Sequence, residues 1–182
     1  MYPFTKKLPT TKKSKGTNRI MWIIIHHTAG GTFNSNMMFL SQAKEESSVH
    51  FVIWPSEERW KIWDPRDILR HAWNGKRWNC TNCNLDFLGI EVVWFWEYNT
   101  KQLIALTDLV EYLMWIYNIP NNMIIRHCDC TQADEYTREK ILWDWKRYSK
   151  KKDIWLNFFP MWFETWRKQL TPRKESRYFI SK

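Results

Sequence analysis

The stretch "IIIHHTAGG", residues 23–31, runs three isoleucines directly into two imidazoles and a glycine turn. Consecutive β-branched residues read as a buried strand. A strand that ends on His26 and His27 and then turns at Gly30-Gly31 has two readings. Either the histidines are a hydrogen-bonded core residue and a rim residue, or the strand carries a metal ligand to the edge of a sheet. The rest of the chain must be laid out around this strand.

Apolar runs and helical spacings alternate along the sequence. Residues 20–26 predict the first strand, and 34–46 predict a helix with Met38, Leu40 and Ala43 at helical spacing. Residues 49–54 and 60–64 predict a hairpin around "PSEER", and 65–86 read as an irregular loop. "LGIEVVWFW", 88–96, is a long apolar strand with one carboxylate inside it. Residues 101–118 form the clearest amphipathic helix, stopped by Pro120. Residues 122–127 predict another strand, 128–152 a polar and basic insertion, and 156–170 a terminal helix broken or kinked near Pro160. No repeat is present. The alternation predicts an α/β protein, a single domain with a central mixed β-sheet flanked by helices. The domain is expected over residues 20–172, between a basic flexible tail, 1–19, and a C-terminal tail, 173–182.

Composition narrows the partners. A net charge of +9 favours an anionic partner such as nucleic acid, a membrane surface or an acidic cell wall. No apolar run reaches the ~20 residues of a membrane span. The N-terminal stretch has lysines but no apolar core, so it does not read as a secretory signal, and synthesis in the cytoplasm is expected. The aromatics lie mostly in apolar strands and helices, which argues against a nucleic-acid groove. Cys80, Cys83, Cys128 and Cys130 are expected either to be reduced thiols in two loops or to form a structural zinc site.

Three residues stand out chemically. His26 and His127 each end an apolar strand, and Glu91 lies between Ile90 and Val92 inside one. A lone strand-end histidine is usually a hydrogen-bonded rim residue. Two of them supply the imidazole pair that zinc takes. A carboxylate among apolar neighbours is costly to bury without a partner, and desolvation moves it toward the range of a general base.

In chain order, "IIIHHTAGG", "SSVHFVIWPSEERWKIW", "LRHAWNG", "LGIEVV" and "IIRH" resemble the type-2 N-acetylmuramoyl-L-alanine amidases. That family includes phage lytic amidases, muropeptide-recycling amidases and peptidoglycan recognition proteins. The likeness spans roughly residues 20–170, and the first and last motifs are specific when found together. It implies the amidase and peptidoglycan-recognition fold, a Zn²⁺ cofactor and peptidoglycan or muropeptides as substrate. It implies no nucleic-acid partner and a monomer. By position, His26 and His127 match zinc ligands and Glu91 the residue that activates water. His71, Thr28 and Asn74 match substrate-binding positions, whereas His50 reads as mainly structural. The third ligand departs from the family pattern. "SKKKDIWLNFF" offers Asp153 as ligand and Lys151 as the cation beside the scissile carbonyl, with Ile154-Trp155 where Pro-Gly is usual. Cys130, Asp134 and Glu135 are the rivals. The implied function is zinc-dependent amide hydrolysis in the cell wall, of the phage endolysin type. The alternatives are a non-catalytic recognition module and a cytosolic recycling amidase.

The chain has 14 tryptophans against 5 glycines, where glycine usually makes up ~7%. Trp60, Trp73, Trp94 and Trp155 fall where the family commonly has glycine. Trp60 is expected at a hairpin turn, where φ > 0 suits glycine and strains an indole. Either these are UGA codons decoded as glycine in the source, or they are real tryptophans that pack or stack on sugars. UGG at all four positions would exclude the first reading.

Overall fold

The structure, a computed structural model, describes residues 6–7, 16–28, 32–41, 48–56, 58–71, 83–93, 100–130 and 160–173. The elements in chain order are β1 (Lys6–Lys7), β2 (Trp22–His27), α1 (Phe33–Ser41), β3 (Phe51–Ile53) and β4 (Arg59–Lys61). They continue with the single helical turn α2 (Cys83–Asp86), β5 (Phe87–Val92), α3 (Thr100–Tyr117), β6 (Ile124–Arg126) and α4 (Pro160–Gln169). Short 3₁₀ turns, Asn121–Met123 and His127–Cys130, bracket β6. The strands form one six-stranded sheet in the order β1-β4-β3-β5-β2-β6. The β3–β4 pair is antiparallel and the other pairings are parallel, so the sheet is mixed, as expected for this α/β chain.

Side-chain alternation along the strands sorts the sheet into two faces. Ile23 and Ile25 of β2, Leu88, Ile90 and Val92 of β5, Phe51 and Ile53 of β3 and Ile124 of β6 join one core cluster with α3 and α4. α3 meets it with Ala105, Leu106, Leu109, Val110 and Leu113, all 0–1% exposed and at helical spacing. α4 adds Phe163, and Trp166 donates Nε1–H to Thr107 Oγ1 at 2.8 Å. The opposite face carries Trp22, Ile24, Phe87 and Ile125, with the Trp22 and Phe87 rings stacked at 5.2 Å. It also carries Val52 and Trp60, packed with Met37 and Leu40 of α1.

Several boundaries differ from the sequence reading for identifiable reasons. α3 ends at Tyr117 because Asn118 turns left-handed (φ 52°), with Pro120 two residues beyond. α4 runs Pro160–Gln169 with its proline at the first position, where a missing N–H costs nothing; residues 156–159 of the expected terminal helix lie outside the described residues. Trp60 sits in the middle of β4 opposite Val52, and its indole is 9% exposed. Among the described non-glycine residues only Ile20 and Asn118 have positive φ, so the expected turn strain at Trp60 is absent. Trp73, Trp94 and Trp155 lie outside the described residues. Cys83 is disulfide-bonded and fully buried, which corrects the expectation of reduced thiols or a zinc thiolate at that position. Within the segment read as a tail, Lys6–Lys7 pairs with β4, and the Arg19 guanidinium pairs with Asp86.

Candidate active site

The site lies where three adjacent parallel strands end. In sheets of this kind, ligands bind outside the carboxyl ends of the parallel strands. β5, β2 and β6 are neighbours; Glu91 and His26 are the next-to-last residues of β5 and β2, and His127 directly follows β6, so all three lie toward one edge. His26 and Glu91 are register partners, as are Val52 and Glu91. The residues flanking His26 and Glu91, Ile25, Ile90 and Val92, point into the α3 core instead. One strand period therefore separates the greasy anchor from the chemical groups.

The His26 and His127 rings are 4.6 Å apart between centroids, tilted by 58°. Two imidazoles this close can share one metal ion. Among the described residues, no group of three His, Cys, Asp or Glu completes a metal-binding set. His26 is 5% and Glu91 8% exposed, so both are shielded yet reach the surface. Thr28 follows β2 and continues its pairing, donating N–H to Val92 O at 3.3 Å.

Behind His26 lies a relay of further histidines. His71 Nε2 is 3.1 Å from the Phe87 carbonyl, and its Nδ1 is 3.1 Å from His26 Nε2. A carbonyl only accepts, so His71 Nε2 carries the proton. Burial, aided by repulsion from His50, holds the His71 pKa well below the usual imidazole range, so the ring is neutral. Its Nδ1 must then accept, and His26 Nε2–H donates.

His50 is fixed in the same way. Its Nδ1 accepts from the Gly89 N–H at 3.0 Å, and its Nε2–H donates to Asp67 O at 3.0 Å. Gly89 is the residue that sequence reasoning missed. A Cβ built there meets His71 Cγ and Nδ1 at 2.9 Å, so a side chain would displace the imidazole. The available signal was a single glycine inside an otherwise apolar strand, which marks a close approach.

His26, Glu91, His127 and His71 thus converge, with Thr28 adjacent. Asn74, Lys151 and Asp153 lie outside the described residues, as do Asp134 and Glu135 among the rival ligands. Cys130 closes the 3₁₀ turn that begins at His127.

Burial pushes the His50 pKa down to about 4, partly offset by its bond to the Asp67 carbonyl. An unfolded imidazole titrates near ~6.5. Between these values the unfolded chain binds a proton that the native chain refuses, so stability rises with pH. The contribution is complete above the unfolded value and is lost as pH falls toward 4. Urea unfolding of the metal-free chain is expected to show stability falling between pH 7 and 5, by about 2 kcal/mol in all from His50. A pH-independent stability over that range would remove this account of His50.

The chain matches known proteins in family and in fold. A family model described as N-acetylmuramoyl-L-alanine amidase matches residues 16–140. The chain therefore belongs to the N-acetylmuramoyl-L-alanine amidase family. The matched span contains His26, His71, Glu91 and His127 and stops before Lys151 and Asp153. Among solved structures, PlyL superposes with a TM-score of 0.58 at 16% identity, covering 80% of this chain and 92% of PlyL. A mutant endolysin from Bacillus subtilis gives 0.58 at 19% identity, covering 81% and 97%. The N-acetylmuramoyl-L-alanine amidase LysC from Clostridium intestinale gives 0.55 at 19%, covering 77% and 95%. At these identities the likeness is one of fold. No curated protein sequence matches significantly.

Proposed function

We propose that the protein is a zinc-dependent hydrolase that cleaves the amide between the lactyl group of N-acetylmuramic acid and L-alanine in peptidoglycan. The observation that carries the reading is the His26–His127 pair, 4.6 Å apart, with Glu91 in register beside His26 at the ends of parallel strands. The donor chemistry fits zinc, since His26 and His127 bring together two imidazoles, the donor type zinc takes. Zinc, when bound, supplies Lewis acidity toward the attacking water and the scissile carbonyl. His26 and His127 would hold the metal, and Asp153 is the proposed third ligand.

Glu91 takes the proton of the attacking water and delivers it to the leaving amine, which departs as the free amino terminus of L-alanine. Its shielded position keeps bulk water from competing for that proton. Lys151 is proposed to stabilise the oxyanion, and Thr28 and Asn74 to contact substrate. The phage endolysin type of action, on the wall after release from the cytoplasm where the chain is made, is supported by the +9 charge, which attracts the chain to an anionic wall. The fold likeness to endolysins also supports it. No helix among the described residues is long and apolar enough to cross a membrane.

The test is release of L-alanine amino termini from purified peptidoglycan. Release is expected to stop on chelation and to return when zinc is added back. Release that persists in excess chelator would overturn the metal assignment, and no release under any metal would overturn the hydrolase reading.

A further inference from the structure

We infer that Asp129 is a positioning residue for His127: it fixes the point at which the chain leaves β6, and so holds His127 beside His26. The inference rests on the zinc reading above.

Among the described strands β6 lies at the edge of the sheet and pairs with β2 alone. Its register with β2 ends at Ile25 and Arg126, so the next residues out are His26 and His127. An edge strand has no second neighbour to say where it stops. Asp129 supplies that signal. Its Oδ2 accepts the Arg126 backbone N–H at 3.0 Å, three residues back along the chain. This is the reach-back half of a capping box, with Arg126 at the N-cap of the 3₁₀ turn His127–Cys130 and Asp129 as the third residue of that turn. The N–H of the last strand residue is taken by the turn, and His127 becomes the first residue outside the sheet.

The carboxylate is itself held. The Arg126 guanidinium grips it with two bonds, Nε to Oδ2 at 3.0 Å and Nη2 to Oδ1 at 2.8 Å. A planar fork on a carboxylate fixes orientation as well as distance. The same guanidinium lies over the Phe163 ring, 5.3 Å from its centroid, and Phe163 is fully buried between α4 and the sheet. Support therefore runs from the core, through Arg126 and Asp129, to the backbone that carries His127.

The Arg126 and Asp129 side chains are 17% and 21% exposed. An ion pair that water reaches adds little to folding stability. What it decides here is geometry. Two imidazoles with centroids 4.6 Å apart can share a metal only while that separation is kept. His26 belongs to β2, which is paired on both sides, so any drift would come from the edge strand and its turn.

Zinc affinity of the full chain, measured by competition with a chromophoric chelator, tests this beside the melting temperature of the metal-free chain. Asp129→Ala removes the acceptor. It is expected to weaken zinc binding about 10–100-fold, with the metal-free melting temperature little changed. A merely structural role would lower the melting temperature instead. Asp129→Asn, which keeps an oxygen for the Arg126 N–H, is expected to recover most of the loss. Wild-type affinity in a folded Asp129→Ala chain overturns the inference, as does an Asp129→Asn chain that binds no better than Asp129→Ala. Amide hydrogen exchange of the metal-free wild type needs no variant. A protected Arg126 N–H supports the inference, and exchange at the rate of an open amide overturns it, so a result stands even where Asp129→Ala does not fold. His127→Ala separates the two readings. If it abolishes zinc binding while Asp129→Ala leaves it unchanged, only the role of Asp129 falls. If the wild type takes up no zinc, both fall.

Discussion

Glu91→Gln is expected to cut the rate of amide cleavage by about 10²–10⁴-fold, with KM and zinc content close to wild type. Glutamine matches the volume of glutamate and keeps a polar atom at the same place, so the strand end is not disturbed. What it loses is the ability to take a proton from water and return it to the amine. Glu91 sits opposite His26 in the β2–β5 register and is 8% exposed, so bulk buffer is a poor substitute for it. The flanking Ile90 and Val92 are 0% and 1% exposed on the other face and hold the position whatever residue stands at 91. The split between rate and metal content is the informative readout. A variant that loses zinc together with activity would make Glu91 a metal ligand, and a variant within tenfold of wild-type turnover would remove it from proton transfer.

The legible parts of this chain were those in which one physical signal dominates. The α3 stripe of Ala105, Leu106, Leu109, Val110 and Leu113 is a helical period with no competing pattern. Strands β2, β5 and β6 are β-branched or apolar runs, and their ends were marked by His26, Glu91 and His127. Less legible were features set by distant partners. Nothing in Lys6–Lys7 announces a strand; the pairing depends on the free edge of β4. The helical turn at Cys83–Asp86 is too short for periodicity to show. The hairpin pattern places Trp60 at a turn, yet β4 begins at Arg59 and the indole packs beside Val52 and Ile62. The seat of His71 was invisible for a similar reason. Gly89 and His71 are far apart in sequence, and a missing Cβ carries meaning only once the ring above it is in place.

Asp108→Ala is expected to lower the stability of the domain by about 3–5 kcal/mol, without touching the candidate site. Arg59 of β4 and Asp108 of α3 form an ion pair whose side chains are 3% and 2% exposed. Arg59 is the register partner of Ile53, so its side chain lies on the α3 face, where the pattern would otherwise ask for an apolar residue. Removing the carboxylate takes a counter-charge away from a guanidinium in a place water does not reach, and that loss is the source of the cost. Against a total of roughly 5–15 kcal/mol for a domain, the loss takes about a fifth or more of the margin, and urea unfolding would show it as a lower midpoint at unchanged slope. Asp108→Asn keeps an acceptor but not the charge and is expected to fall between the two. The double change Arg59→Met with Asp108→Leu removes both desolvation costs together and is expected to return stability to within about 1–2 kcal/mol of wild type. If the double variant is instead as unstable as Asp108→Ala, the pair is valuable for itself: β4 would depend on that ion pair to stay docked beneath α3, and mutual neutralisation of two buried charges would not be enough to explain it.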